Sequence, residues 1–167
     1  MIRNIHIKST NESVKEKLLS IERVKTSADD HQLEFVTEFK GVSYVNDSKS
    51  IRVTATRNSL EAIETSVVLI IGGNDNECDY SILENQIKQK VVVIVYLGLC
   101  NDKILKYCSK FKMLFLKADS LSEAVYIATL VGQSGDVVLF SPACQSTTEN
   151  YKTRGNEFKK IVNELGA

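Results

Sequence analysis

The stretch Val67-Val68-Leu69-Ile70-Ile71-Gly72-Gly73 decides the fold, because five consecutive apolar residues end there at two glycines. A continuous apolar run of this length is typical of a strand that is buried on both faces of a parallel sheet. Similar runs recur toward the C-terminus, and amphipathic stretches separate them. The predicted strands are Val67–Ile71, Val91–Leu97, Met113–Leu116 and Val137–Phe140, and the predicted helices are Tyr80–Lys88, Lys103–Ser109, Leu121–Gly132 and Asn156–Leu165.

Upstream of this region the pattern changes from continuous to alternating. Leu33–Phe39 and Val42–Val45 alternate with a period of two, and Lys40-Gly41 lies between them. That pattern predicts a β-hairpin, so at least one strand runs antiparallel to its neighbour. The strand–helix alternation further on predicts right-handed crossovers and a sheet covered on both faces. We therefore predict an α/β fold, a three-layer α/β/α sandwich with a Rossmann-like mixed sheet of about six mostly parallel strands.

The composition is that of a globular domain and argues against several kinds of partner. Of the 167 residues, 43% are hydrophobic and 25% are charged, and 21 basic residues balance 21 acidic ones. Phosphate binding needs surplus basic charge, so nucleic acid is not the expected partner. The longest apolar runs are too short to cross a bilayer, and the N-terminus lacks the apolar core of a signal peptide. We expect a cytoplasmic protein with no membrane partner.

The four cysteines are too scattered to predict a zinc site. Zinc ligands normally come in closely spaced pairs, and the chain has no CxxC motif. Without an export signal, reduced cytosolic thiols are the better interpretation. The residues concerned are Cys78, Cys100, Cys108 and Cys144, and the two histidines are His6 and His31.

Three polar segments follow predicted strands, where open α/β sheets bind their ligands. The first is Asn46-Asp47-Ser48-Lys49, directly after the second hairpin strand. Its carboxylate, hydroxyl and ammonium suit an anionic ligand or a metal-bound phosphate, with Lys49 neutralising an anionic oxygen. The alternative is a capped turn, in which Asp47 or Ser48 caps a helix over residues 50–63 and Lys49 is solvated.

The second segment is Gly72-Gly73-Asn74-Asp75. It does not match GxGxxG, and the P-loop pattern GxxxxGK[ST] occurs nowhere in the chain. The alternative interpretation is that the glycines only permit a tight turn as the chain leaves the sheet.

The third segment runs from Ser141 to Thr148 and on toward Tyr151 and Arg154-Gly155. A hydroxyl-rich loop that leads into a helix N-terminus offers hydroxyl and N–H donors to a carboxylate. Cys144 lies in this loop, but no histidine is near it in the sequence to act as an activating base. We therefore predict that Cys144 is a packed thiol.

Several strings of residues, taken together, carry a family resemblance. They are His31-Gln32-Leu33-Glu34, Gly41-Val42-Ser43-Tyr44-Val45-Asn46-Asp47-Ser48-Lys49, Gly72-Gly73-Asn74-Asp75, Asp79-Tyr80-Ser81, Gly135-Asp136-Val137-Val138-Leu139-Phe140-Ser141-Pro142-Ala143-Cys144 and Arg154-Gly155-Asn156-Glu157-Phe158. In this order and at nearly this spacing, they resemble the C-terminal domain of the Mur ligases, closest to the MurD-type UDP-N-acetylmuramoyl-L-alanine:D-glutamate ligases. The resemblance covers 31–167, and residues 1–30 look like a helix and linker that remain from a preceding domain.

The resemblance implies a place in peptidoglycan precursor synthesis, by ATP-dependent amide bond formation. In the family, a central domain phosphorylates the carboxylate of the UDP-muramoyl-alanine substrate, and the C-terminal domain brings in D-glutamate, whose amine attacks the acyl phosphate. Lys49 would contact the α-carboxylate of D-glutamate, and Ser146, with the backbone N–H near Tyr151, would hold its side-chain carboxylate. Asn46, Asp47 and Ser48 would belong to the same substrate site, with Asp47 facing the interdomain cleft. The residues implied as cleft or structural positions are Gly72, Gly73, Asp75, Cys144, Arg154 and Gly155.

The sequence departs from the family's pattern at the cleft. Gln32 replaces an expected arginine, Ile51-Arg52 interrupts the motif after Lys49, and Asn76 replaces a basic residue. The loop between Ser146 and Tyr151 is shorter than usual. The chain contains neither the nucleotide-sugar domain nor the P-loop domain. ATP and Mg²⁺ therefore belong to the full-length family, and this chain alone is predicted to bind no cofactor and to be inactive.

Two functions remain open. In the first, the chain is the D-glutamate-binding domain of a MurD-like ligase, either as a fragment of that enzyme or as the partner of a separate ATP-binding or UDP-sugar-binding domain. Its expected ligand is D-glutamate or a similar small dianion. In the alternative, the chain is a stand-alone, non-catalytic paralogue that acts as a binding or regulatory module. Lys49, Ser146 and Arg154 favour the first function, and the missing phosphate-binding machinery favours the second.

Overall fold

A six-stranded sheet forms the middle layer of the protein. The computed structural model describes residues 29–72, 78–98, 106–111, 113–146 and 149–166. Across the sheet the strands stand in the order β1-β2-β6-β3-β4-β5, with β1 antiparallel to β2 and all other neighbours parallel. The predicted mixed sheet is confirmed. The strands are β1 (Glu34–Phe39), β2 (Val42–Asn46), β3 (Val67–Ile71), β4 (Val91–Leu97), β5 (Leu114–Ala118) and β6 (Val137–Phe140).

A tight two-residue turn joins β1 to β2 and confirms the predicted hairpin. Lys40 and Gly41 both have positive φ, 51° and 78°, as a type I′ turn requires. A Cβ on Gly41 would lie 2.3 Å from Ser134 Oγ. Glycine is therefore needed there for space as well as for backbone conformation. All of β2 is buried, because β1 and β6 flank it and helices cover it.

Helices cover both faces of the sheet, so the predicted three-layer sandwich is confirmed. On one face lie α1 (Val53–Glu61), a 3-10 turn (Tyr80–Leu83) and α2 (Glu84–Lys90). On the other lie α3 (Leu121–Val131) and α4 (Tyr151–Asn163). The Phe158 ring of α4 stacks on the Phe140 ring of β6, with centroids 5.2 Å apart. No helix in the described part of the chain has the length and apolar character needed to cross a membrane.

Several predicted boundaries differ from the structure, two of them at α4 and β5. Helix α4 begins at Tyr151 rather than Asn156, because the Asn150 side chain caps it by accepting a hydrogen bond from the Thr153 N–H at 2.9 Å. β5 covers Leu114–Ala118 rather than Met113–Leu116. The helix predicted over 103–109 is described from residue 106, and 106–108 are helical. The helix predicted within residues 1–30 lies outside the described residues.

Candidate functional site

The loops that follow β2, β3 and β6 meet at one edge of the sheet, because these strands are neighbours. The Gly72 N–H donates to the Pro142 carbonyl at 3.0 Å, and the Ala143 N–H donates to the Ser50 carbonyl at 2.9 Å. Ala143 has a φ of 63°, a left-handed conformation that turns the chain back toward Ser50. We refer to residues 46–50, 72 and 141–146 as the rim.

Asp47 is a rim residue whose side chain lies inside the protein. Its side chain is fully buried; Oδ1 accepts a hydrogen bond from the Leu33 N–H at 3.0 Å, and Oδ2 accepts one from the Ser141 hydroxyl at 2.7 Å. The Ser141 hydroxyl also lies 2.8 Å from that of Thr56. Burial raises the pKa of the Asp47 carboxyl, and nearby hydroxyls oppose that shift in part. The prediction that Asp47 faces a cleft is therefore wrong, since its carboxylate joins the loops after β2 and β6.

Asn46 is also buried and links β2 to its surroundings. Its Oδ1 accepts from the Ser48 N–H at 3.2 Å, and its Nδ2 lies 3.0 Å from Glu34 Oε2 and 2.9 Å from His31 Nδ1. Glu34 Oε1 in turn pairs with Lys159 Nζ of α4 at 3.0 Å. Asn46, His31, Glu34 and Lys159 form a polar cluster that connects β1, β2 and α4.

Hydrogen bonding sets the charge states in this polar cluster. An amide nitrogen only donates, so His31 Nδ1 accepts and the imidazole is neutral. Burial, followed by the nearby Lys159 charge, lowers the pKa of His31 from its ordinary value of 6.5. Burial alone would raise the pKa of Glu34, but hydrogen bonds from Lys159, the His31 N–H and Asn46 together hold it below its ordinary 4.5. Near neutral pH the cluster therefore combines a neutral histidine with an ionised glutamate.

Ser48 is buried against α4 at Gly155. A Cβ on Gly155 would lie 2.3 Å from Ser48 Oγ and 2.2 Å from His31 Nδ1. Such distances are far shorter than any normal contact, so glycine allows α4 to approach the loop after β2 this closely. The Ser48 hydroxyl has no hydrogen-bond partner among the described residues.

Lys49 is the member of the first segment whose side chain reaches the surface. The side chain is 35% exposed, and Nζ lies 2.7 Å from Asp29 Oδ2. The Lys49 N–H donates to the His31 carbonyl at 3.0 Å. The N-cap of α1 is Arg52, which makes no side-chain cap hydrogen bond. The alternative in which Asp47 or Ser48 caps this helix is therefore wrong, and Lys49 is ion-paired rather than simply solvated.

Ser146 lies in the loop that leads from β6 to α4. Its Oγ accepts a hydrogen bond from the Glu149 N–H at 3.2 Å. Tyr151, the first residue of α4, presents its ring edge-on to that of His31, with centroids 6.0 Å apart. The Lys49 N–H also donates to the His31 carbonyl. His31 therefore brings the Lys49 segment and the start of α4 together. Thr147 and Thr148 lie outside the described residues.

Gly72 lies where β3 leaves the sheet. Its φ is 135°, and a Cβ there would lie 2.4 Å from the Leu97 carbonyl oxygen. These facts support the tight-turn interpretation for Gly72. Gly73 and Asp75 of the same segment lie outside the described residues.

Cys144 and Arg154 lie beneath the loop after β6. Cys144 is 1% exposed, and its Sγ lies 3.4 Å from the Pro142 carbonyl oxygen. The packed-thiol prediction is therefore confirmed. Arg154 is also buried, and its Nη2 donates to the Cys144 carbonyl at 3.4 Å.

Sequence reasoning missed the partners that orient this site. Asp29 and Lys159 carried no signal, because they pair with Lys49 and Glu34 across separations of 20 and 125 residues. His31 and Glu34 were visible in the string that leads into β1, but nothing local indicated that they would contact Asn46.

Positively charged groups lie at the rim and next to it. Lys49 and Arg154 are positively charged, and the N-terminus of α4 adds its dipole on the same side. Asp47 and Cys144, the rim residues whose side chains have the chemistry of a base and a nucleophile, are both buried and hydrogen-bonded to the protein.

Curated relatives cover most of this chain, although no family model matches it. The UDP-N-acetylmuramoylalanine–D-glutamate ligase of Porphyromonas gingivalis is 39% identical over 157 residues, which are 93% of this chain and 34% of that protein. The ligase of the same name from Cytophaga hutchinsonii is 42% identical over 137 residues, 81% of this chain and 30% of that protein. The chain thus spans about a third of the length of these relatives.

Solved structures of related ligases share the fold. The MurF ligase of Thermotoga maritima in complex with ADP superposes with a TM-score of 0.52 at 16% identity, over 87% of this chain and 37% of that one. A bifunctional folylpolyglutamate synthase/dihydrofolate synthase from Yersinia pestis gives a TM-score of 0.55 at 13% identity, over 86% and 32%. At such identities the likeness concerns the fold alone, and it confirms the expected Mur-ligase-like architecture.

Proposed function

This chain belongs to the Mur ligase family, because it is homologous to about a third of the length of UDP-N-acetylmuramoylalanine–D-glutamate ligases, and from that premise we propose that it is the amino-acid-binding domain of a MurD-like ligase. Its ligand in this proposal is D-glutamate or a similar small dianion. A dianion requires positive charge and neutral donors at two points. The rim and the start of α4 contain both.

The meeting of two segments at His31 is the observation that carries this proposal. His31 accepts the Lys49 N–H through its carbonyl and contacts the Tyr151 ring with its own ring. We assign Lys49 to the α-carboxylate, with the ligand replacing Asp29 as its ion-pair partner. Ser146 and the backbone N–H of Tyr151 are assigned to the side-chain carboxylate.

The buried members of the first segment have a different role in the proposal. Asn46, Asp47 and Ser48 are each fully buried, so they hold the course of the loop beneath Lys49. We assign them to positioning Lys49 rather than to direct contact with the ligand.

Phosphoryl chemistry is assigned to another domain. The chain contains no GxxxxGK[ST] motif, whose backbone and lysine cradle phosphates in P-loop enzymes. In the proposal, ATP and Mg²⁺ bind to a separate ATP-binding domain, and the acyl phosphate forms there. This chain would then supply the amino acid for ATP-dependent amide bond formation in peptidoglycan precursor synthesis.

The alternative is a non-catalytic paralogue that acts as a binding or regulatory module. It is favoured by the exposed side chains of Gln32 and Arg52 beside the rim, which depart from the family's pattern. Such a module would not distinguish D- from L-glutamate.

A titration of the pure chain with D-glutamate tests the proposal. Backbone amide signals of Lys49, Ser146 and Tyr151 should shift at roughly millimolar ligand, and L-glutamate should bind more weakly. Lys49→Ala should weaken D-glutamate binding about tenfold or more, because it removes a charge-assisted hydrogen bond.

Lys88→Ala is the matched control. Lys88 is also a surface lysine paired with a carboxylate, Glu84, at 2.5 Å, but it lies on α2, away from the rim. It should leave the dissociation constant unchanged. Absence of amide shifts around Lys49 and Ser146 would exclude a glutamate pocket.

A further inference from the structure

Arg154 is the one lysine or arginine whose side chain is buried in the described part of the chain, with 6% of its surface exposed. It is the fourth residue of the thirteen-residue helix α4, after the Asn150 cap. Burying a guanidinium without a counter-charge is costly. The groups around Arg154 therefore indicate which kind of ligand group this buried charge serves.

The described residues give this guanidinium few hydrogen-bond acceptors. Its hydrogen bond to the Cys144 carbonyl is long, at 3.4 Å, and its Nε has no partner among the described residues. None of the ion pairs found in the described ranges involves Arg154. Burial accordingly lowers the pKa of Arg154, with Cys144 and Glu149 opposing the shift.

The position of Arg154 places this charge beside the loop from β6 to α4. That loop is fixed at one end, where the Ala143 N–H bonds to Ser50, and the Cys144 carbonyl receives Arg154 directly. Its single acidic residue, Glu149, is exposed, and its N–H bonds to Ser146 Oγ. The N-terminal end of α4 adds further positive potential at the same place.

We propose that Arg154 is a specificity-determining residue that makes the Ser146 loop select a ligand whose side chain bears a carboxylate. This inference rests on the proposed function, in which Ser146 and the start of α4 hold the distal group of the amino acid. A carboxylate there supplies the ion-pair partner that Arg154 lacks among the described residues, in a poorly solvated site where charges interact strongly. A carboxamide of the same size supplies none, so Arg154 distinguishes glutamate from glutamine by charge rather than by shape.

The test compares D-glutamate and D-glutamine on the full chain by amide-shift titration. The wild-type chain should bind D-glutamate about tenfold more tightly than D-glutamine, or more tightly still. Arg154→Met should bring the two dissociation constants to within about twofold of each other, and Arg154→Lys, which keeps the charge, should retain most of the preference. Lys152→Met is the matched control, because it removes an exposed charge nearby on α4, and it should leave the preference unchanged.

A measurement on the wild type stands independently of whether Arg154→Met folds. The Nε–H resonance of Arg154 should move on addition of D-glutamate and stay in place with D-glutamine. If both ligands bind wild type equally, or if folded Arg154→Met keeps the preference, the inference is overturned while the proposed function stands. If neither amino acid binds wild type, the proposed function itself is wrong.

Discussion

His31 contacts four parts of the candidate site at once. Its carbonyl accepts from Lys49, its N–H donates to Glu34 Oε2 at 3.1 Å, its Nδ1 lies 2.9 Å from Asn46 Nδ2, and its ring meets Tyr151. It does so with a φ of 72°, a conformation that is uncommon for residues other than glycine, although histidine, asparagine and aspartate adopt it more often than most. A residue held in this way makes the geometry of the site depend on its protonation state.

Replacing His31 with asparagine should flatten the dependence of stability on pH. The folded pKa of His31 is below 6.5, so the unfolded chain binds more protons, and the free energy of unfolding falls as pH drops from about 6.5 through the folded value. Asparagine tolerates the positive φ at this position. The His31→Asn variant should be less stable overall, but its free energy of unfolding should depend less on pH, and the lost slope should correspond to at most about one bound proton. Denaturant unfolding between pH 5 and pH 8 measures this.

His6→Asn is the control for that experiment, because His6 is the only other histidine. The control should keep the part of the slope that comes from His31. Glu34 does not confuse the result, since its pKa lies below 4.5 and its contribution is lost at lower pH. An unchanged slope in His31→Asn would show that the histidine is not held neutral by the fold.

At the scale of elements, α4 connects the two halves of the site. Lys159 joins it to β1 through Glu34, Phe158 joins it to β6, and Gly155 lies against the loop after β2. Arg154 and Tyr151 near its start contact the loop from β6 and His31. The distance of this helix from the sheet therefore sets the shape of the rim.

Gly155→Ala should push α4 away from the rim. The added methyl would lie 2.2 Å from His31 Nδ1 and 2.3 Å from Ser48 Oγ. Overpacking of this kind costs about 1–3 kcal/mol, which exceeds the gain of about 1 kcal/mol from better helix propensity. We expect a net loss in the free energy of unfolding and a larger dissociation constant for D-glutamate.

Asn156→Ala serves as the comparison on the same helix. Asn156 is exposed, so alanine should raise stability by a few tenths of a kcal/mol and leave ligand binding unchanged. If Gly155→Ala were as stable as Asn156→Ala, α4 would not be held close to the sheet by this contact.

At the scale of the whole molecule, the pure chain is expected to show no ATP hydrolysis and no peptide ligation. The reason is the lack of a phosphate-cradling loop in its sequence. Phosphate release in the presence of ATP, Mg²⁺ and D-glutamate measures this. Turnover that Lys49→Ala abolishes and Lys88→Ala does not would contradict the assignment of phosphoryl chemistry to another domain.

The fold was largely predictable because its strands are continuous and apolar. Val67–Ile71, Val91–Leu97 and Val137–Phe140 were bounded correctly, since glycines or charged residues flank each run. The start of α4 was not, because Gly155 reads as a break in a helix, and its contact with Ser48 depends on tertiary packing. The direction of the Asp47 side chain was likewise decided by Ser141, which lies 94 residues away.

Asp47 accepts interior hydrogen bonds from the Ser141 hydroxyl and the Leu33 N–H, and these bonds determine the course of the loop beneath Lys49. The neighbouring outward positions, Gln32 and Arg52, are exposed and take no part in that network. Within this loop, ligand contact is assigned to Lys49, and the course of the backbone depends on the buried Asp47. Substitutions at the two outer positions are therefore expected to leave this network, and with it the native state, intact.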